Sequence, residues 1–177
     1  MSIQELKKLV PPPDRPSEVG SLEAWREIER KIGLVLPSDY RDFIFTYGSG
    51  LFAQFYRVCN PFDPSEWISL YASVERVCNS EGEIKRKFPD QVPYPIYPQE
   101  AGILPWGNDE NGNEYFWLTQ GAPDTWLVLS DEVRGEGFRE YGCSITEFLT
   151  KVLIGHIEAL ASDYPREENF VFEPFID

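Results

Sequence analysis

The strongest structural signal in this chain is a pair of apolar runs on either side of a short polar segment. Residues 103–106 (Ile-Leu-Pro-Trp) precede residues 107–113 (Gly-Asn-Asp-Glu-Asn-Gly-Asn), and residues 114–119 (Glu-Tyr-Phe-Trp-Leu-Thr) follow them. Because an Asn-Gly pair between apolar runs favours a tight turn that joins antiparallel strands, this pattern predicts a β-hairpin. A third strand is predicted over residues 125–130 and a fourth over residues 138–141.

Helical spacing of apolar residues predicts helices on both sides of these strands in the sequence. The predicted helical segments are residues 1–10, 21–33, 37–48, 65–88 and 144–161. Ser21 is placed to cap the second segment, and the capping box Ser144-x-x-Glu147 marks the start of the last one. Helices around a run of hairpin-connected strands predict the α+β class, with a twisted, mostly antiparallel sheet flanked by helices.

The whole chain, residues 1–177, is predicted to form a single domain because no clean linker divides it. Its core is expected over residues 21–160, preceded by an N-terminal helix and proline-rich connector (1–20) and followed by a tail (162–177). Three shorter elements are also predicted: a strand within 52–58, an extended proline-rich strap over 92–98 and a late edge strand over 170–172.

Acidic residues are concentrated in the second half of the chain. Residues 1–99 hold 14 acids and 12 bases, whereas residues 100–177 hold 16 acids and 4 bases, so the net charges are −2 and −12. Nucleic-acid binding requires the opposite sign, which excludes that class of partner. A negative field favours encounter with a basic protein partner, although simple solubility explains the same charge.

No apolar run approaches the roughly 18 residues that a membrane-spanning helix needs. The first residues also lack the apolar core of a secretory signal. We therefore predict a cytoplasmic protein without a membrane partner. Cys59, Cys78 and Cys143 are widely spaced and odd in number, which predicts neither a disulfide framework nor a zinc site.

No residue pattern in the chain predicts catalysis or a cofactor. The single histidine, His156, lies 13 residues after Cys143, or roughly 20 Å along a helix, too far for a Cys–His dyad. The alternating oxygen side chains of Asp109, Asn111 and Asn113 suggest calcium, but an EF-hand loop needs glycine at its sixth position, which here is Glu114. We predict no enzyme activity, no metal and no cofactor.

Three blocks in order resemble the SUKH superfamily, the group that includes the fungal Smi/Knr cell-wall regulators. They are residues 36–44 with Gly48, residues 102–117 and residues 143–149. The resemblance implies an α+β fold without enzyme activity. It also implies a protein-binding role, since many bacterial members look like immunity proteins that neutralise a cognate toxin, often a nuclease, and the fungal members are regulatory.

The leading hypothesis is a toxin-neutralising immunity protein that binds a basic toxin domain. The alternatives are a regulatory scaffold without a toxin and, more remotely, a small-molecule-binding or hydrolytic domain. The predicted contact surface combines the hairpin turn, the charged turn that follows the third strand and two tryptophans that act either as exposed anchors or as core residues. These residues are Trp106, Asp109, Glu110, Asn111, Glu114, Trp117, Asp131 and Glu132.

Overall fold

One antiparallel sheet organises this protein, whose computed structural model describes residues 3–133, 137–157 and 170–175. Its strands are β1 (Gly50–Phe52), β2 (Tyr56–Val58), β3 (Ile103–Asp109), β4 (Glu114–Leu118), β5 (Leu127–Glu132), β6 (Gly137–Tyr141) and β7 (Glu173–Pro174). The order across the seven-stranded sheet is β6-β5-β4-β3-β2-β1-β7, so most strands pair with their neighbours in sequence. The predicted hairpin is confirmed as β3–β4.

The helices of the described residues cover both faces of this sheet. They are α1 (Ile3–Leu9), α2 (Leu22–Ile32), α3 (Ser38–Tyr47), α4 (Leu70–Lys87) and α5 (Ile145–Leu153). On the first face, strand residues such as Trp117 pack in the main core with side chains of α1, α2, α3 and α5. On the other face, Phe116 and Leu129 pack with Val77 of α4 in a smaller core. The predicted α+β class, with a mostly antiparallel sheet flanked by helices, is confirmed.

Local sequence signals place the helix ends. The Ser21 hydroxyl accepts a hydrogen bond from the Ala24 backbone N–H at 3.1 Å, which satisfies one of the free donors at the start of α2. Gly48 ends α3 with φ +71°, and a Cβ atom there would lie 2.1 Å from the carbonyl oxygen of Ser17. Glycine is therefore required at position 48 by both the left-handed backbone and the close approach of the N-terminal connector.

Two predicted boundaries in the first half of the chain are wrong. Residues 52–58 form parts of two strands rather than one, because Ala53 and Gln54 turn the chain with positive φ angles. Such angles usually carry glycine or asparagine, so the sequence gives no turn signal there. The helix predicted from residue 65 begins at Leu70, and Trp67, which precedes it, is 66% exposed.

The C-terminal boundaries also differ from the prediction. Helix α5 ends at Leu153, whereas the predicted end near Ala161 lies outside the described residues. His156 lies beyond the end of this helix and is exposed. The late edge strand falls at Glu173–Pro174 instead of 170–172, although Phe172 is buried against the sheet edge. Within the described ranges, no helix has the length and apolarity needed to cross a membrane.

Candidate functional site

The two tryptophans of the predicted contact surface lie in the core. Trp106 and Trp117 are 0% and 1% exposed. Trp106 stacks on Tyr115 with ring centroids 5.3 Å apart, and Trp117 packs edge-to-face on Tyr40 at 5.0 Å. Neither ring is therefore available as an exposed anchor, because both fill the space between the sheet and its first helical layer.

Asp109 is also buried, at 3% exposure, and organises the β3–β4 turn. Its carboxylate accepts hydrogen bonds from the backbone N–H groups of Asn111 and Asn113, from the Asn113 amide and from the Tyr115 hydroxyl. Four donors satisfy this carboxylate internally, so it has a structural role in the turn. At the tip, Glu110 and Asn111 are exposed, and Glu110 forms an ion pair with Arg57.

Two of the remaining acids of the prediction, Glu114 and Asp131, meet on the sheet face that α4 covers. Glu114 of β4 pairs directly with Asp131 of β5, so their side chains lie side by side on that face. Asp131 was predicted in a turn, but β5 continues to Glu132. Like charges directly opposite each other destabilise a sheet. The fold therefore places two acidic side chains next to each other at an energetic cost.

A third acidic side chain, Glu81 of α4, lies near Glu114 and Asp131. Glu81 is only 5% exposed, and its Oε2 atom has no hydrogen-bond partner among the described residues. The Oε2 atom of Glu114 is likewise buried and without such a partner. Since nearly all buried side-chain oxygens in proteins are hydrogen-bonded, two unsatisfied carboxylate oxygens in one cluster are exceptional.

A groove of about 570 Å³ opens above these acids, between α4, the chain after it and the β5–β6 edge. Its acidic lining residues are Glu81, Asp90, Asp131 and Glu132. Its walls are apolar and include Ile84, Val92, Pro93, Val133 and Phe138. We call this feature the acidic groove.

Burial and nearby negative charges raise the pKa values of three carboxyl groups at the groove. Burial raises the pKa of Glu81 to about 7, and the nearby charge of Asp131 adds to that rise. Burial also raises the pKa of Glu114 to about 7, although Arg76 opposes the effect. The pKa of Asp131 is raised by burial and by Glu132. Protons therefore neutralise part of this cluster near neutral pH.

Glu132 differs from the other acids because a cation already neutralises it. Its carboxylate lies 3.3 Å from the Arg139 guanidinium. By contrast, the carboxylate of Asp131 has no hydrogen bond or ion pair with any residue of the described ranges. The acids left for an external cation are therefore Glu81, Asp90 and Asp131, with Glu114 beneath them.

Sequence reasoning missed Glu81, although a signal was present. The buried residues of α4 are Leu70, Ser73, Val77 and Glu81, at spacings of three and four. An acid thus continues the apolar stripe of an amphipathic helix, where a charged residue is rarely found without a partner. A glutamate in a core position is the pattern that identifies this site.

The structure also describes the cysteines and the candidate metal ligands considered from the sequence. Cys59, Cys78 and Cys143 are free thiols. Burial raises the pKa of Cys59 to about 12 and that of Cys143 to about 11, which makes both poor nucleophiles. Across the described ranges, no group of three or more His, Cys, Asp or Glu side chains is arranged to hold a metal ion.

Comparison with protein-family models gives a match over most of the fold. The family model described as SMI1-KNR4 cell-wall (SUKH_6) matches residues 22–149, well over half of the chain. The matched region runs from the start of α2 into α5 and contains the acidic groove. No curated protein and no solved structure matches the chain.

Proposed function

This chain belongs to the SUKH family of SMI1-KNR4 cell-wall proteins, and from that membership we propose that it is a non-enzymatic protein-binding module. The specific role we propose is that of an immunity protein, which binds a basic toxin domain and neutralises it. The observation that carries this proposal is the acidic groove, where the Oε2 atom of Glu81 is buried without a hydrogen-bond partner among the described residues.

Electrostatics support a basic partner. The chain carries a net charge of −14, and residues 100–177 account for most of it. A toxin that grips phosphate groups presents lysine and arginine on its active surface, so an acidic protein that covers this surface also blocks its chemistry. Such complementarity accelerates encounter, and that benefits a protein that must bind a toxin before it acts.

The test begins with affinity capture of partners from the native cell, followed by co-expression of this chain with each captured protein. We expect a captured toxin to stop growth when expressed alone and to become harmless with this chain. Asp90→Asn/Asp131→Asn should weaken the complex by roughly tenfold or more, since hydrogen bonds to charged groups contribute about 1.5–3 kcal/mol each. The matched control, Asp14→Asn/Glu23→Gln, removes two charges at exposed positions outside the groove.

The outcomes separate the parts of the proposal. If the groove variant binds the toxin as tightly as the control variant does, the groove is not the contact surface. If the captured partner is not toxic, the regulatory alternative replaces the immunity role. Turnover of a substrate by the purified chain would overturn the non-enzymatic assignment.

A further inference from the structure

We propose that the acidic groove is a receptor for one arginine side chain of the partner, whose guanidinium binds Glu81 and Asp131. This inference rests on the proposed function only for the source of the arginine. The site itself follows from the geometry of the groove, and it specifies the chemistry of the partner.

Glu81, at the floor of the groove, is a buried carboxylate without a counter-charge in the described ranges. Only 5% of the Glu81 surface is exposed, yet its Oε2 atom has no hydrogen-bond donor among the described residues. Removing a carboxylate from water without a donor or a counter-charge is costly, and a cation that binds in good geometry offsets part of that cost. An arginine offers five N–H donors in a planar fork, enough to reach two carboxylates at once.

The charged groups around Glu81 do not supply its missing counter-charge. Asp131 and Glu114 face it from the sheet, and Asp109 lies further along β3. Arg76 of α4 interacts with Glu114 and also donates to the backbone oxygen of Glu66. Lys85, one helical turn after Glu81, donates instead to the backbone oxygens of Val92 and Tyr94. Within the described residues, neither cation forms an ion pair with Glu81 or Asp131.

The walls of the groove fit the rest of an arginine side chain. Ile84 and Val92 provide apolar contacts for the three methylene groups, which bury well along apolar surface. Phe138 lines the same groove; its ring also contacts Tyr94 and Phe116. An aromatic ring attracts a guanidinium placed over its face. The volume of about 570 Å³ also lies within the range of roughly 300–1,000 Å³ that is usual for ligand pockets.

These features favour arginine over other cations. A metal ion would need several oxygen ligands at fixed distances, and no such group exists within the described ranges. A lysine ammonium is more strongly hydrated than a guanidinium and cannot stack on an aromatic ring through a planar face. We therefore expect the preference arginine, then lysine, with no binding of an uncharged analogue.

The probe is the peptide acetyl-Gly-Arg-Gly-amide, titrated into the intact chain and followed by backbone amide NMR shifts. At pH 8 we expect saturable shifts at Glu81, Asp131 and Phe138. The citrulline peptide, which has nearly the same shape without the charge, should give none. At pH 5.5 the affinity should fall by roughly tenfold, because the raised pKa of Glu81 leaves it mostly protonated there.

Variants test the role of the carboxylate. Glu81→Gln should weaken the arginine peptide by roughly tenfold at pH 8. Glu75→Gln, an exposed position on the same helix, should leave binding unchanged. Arg134 follows Val133, a residue that lines the groove, and is the only arginine of residues 134–136. The titration is therefore repeated in Arg134→Gln to remove this arginine as a competitor of the peptide.

Equal binding of the citrulline peptide, shifts confined to another surface, or full affinity in Glu81→Gln would overturn the inference. The two proposals also fail separately. If a toxin is neutralised but the arginine peptide does not bind, the immunity role stands and this inference falls. If the peptide binds in the groove but no toxin partner exists, the inference stands and the immunity role falls.

Discussion

Replacing Glu81 with glutamine should stabilise this protein at alkaline pH. Glutamine has the shape of a protonated glutamate and carries no charge, so it keeps the packing of α4 on the sheet. The pKa of Glu81 is raised from 4.5 to about 7, chiefly by burial. The unfolded chain therefore loses this proton at lower pH than the folded chain does.

Proton linkage gives the direction in which the free energy of unfolding changes with pH. Below pH 4.5 the carboxyl is protonated in both states and does not affect stability. Between pH 4.5 and 7 the unfolded state releases its proton while the folded state keeps it, so the free energy of unfolding falls as the pH rises. Each pKa unit corresponds to about 1.36 kcal/mol, so the shift destabilises the wild-type chain by about 3 kcal/mol at pH 8. Glu81→Gln should recover about that amount.

The assay is urea unfolding of the wild-type chain, Glu81→Gln and Glu75→Gln at pH 5 and pH 8. We expect Glu81→Gln to gain about 3 kcal/mol over wild type at pH 8 and less than about 1 kcal/mol at pH 5. The exposed control Glu75→Gln should stay within about 0.5 kcal/mol of wild type at both values. If Glu81→Gln is no more stable than wild type at pH 8, then Glu81 is not an uncompensated buried acid and the argument for the groove fails.

Three further substitutions, two of them with an exposed control, test the structural assignments by urea unfolding. Asp109→Ala should cost about 2–4 kcal/mol because four donors lose their acceptor, whereas Glu110→Ala at the exposed tip should cost less than about 1 kcal/mol. Trp106→Ala should cost about 3–5 kcal/mol, whereas Trp67→Ala, which is 66% exposed, should change stability little. Ser144→Ala should cost about 1 kcal/mol, because its hydroxyl caps α5. Equal losses within either pair, or no loss for Ser144→Ala, would contradict the corresponding assignment.

Signals that act over a few residues were sufficient to predict most elements of the fold. The β3–β4 hairpin follows from an Asn-Gly turn between apolar runs, and the start of α5 follows from the Ser144 cap. The turn at Ala53 and Gln54 was missed because its positive φ angles come from pairing of the flanking strands and have no local sequence signal. Local pattern therefore predicts elements that carry their own turn or cap residues, and it fails where distant contacts impose the backbone conformation.

The candidate site was only partly predictable for the same reason. Acidity after residue 100 drew attention to Asp131 and Glu114, but nothing in their local sequence shows that they stand opposite each other. Asp109 has the same sequence character as these acids, yet it is satisfied by its own turn. What distinguishes the groove is Glu81, which comes from a helix more than 30 positions earlier and meets the other two acids only in the folded chain.

Stability and binding should respond to Glu81 in opposite directions, and this opposition separates a functional residue from a structural one. A carboxylate that serves the fold would lower the free energy of unfolding when replaced, as Asp109 should. Glu81→Gln should instead raise the free energy of unfolding at pH 8 while it weakens the arginine peptide. A ligand that binds only the folded state stabilises it in proportion to its affinity and concentration. Adding the arginine peptide should therefore raise the unfolding midpoint of the wild-type chain at pH 8 and leave that of Glu81→Gln nearly unchanged.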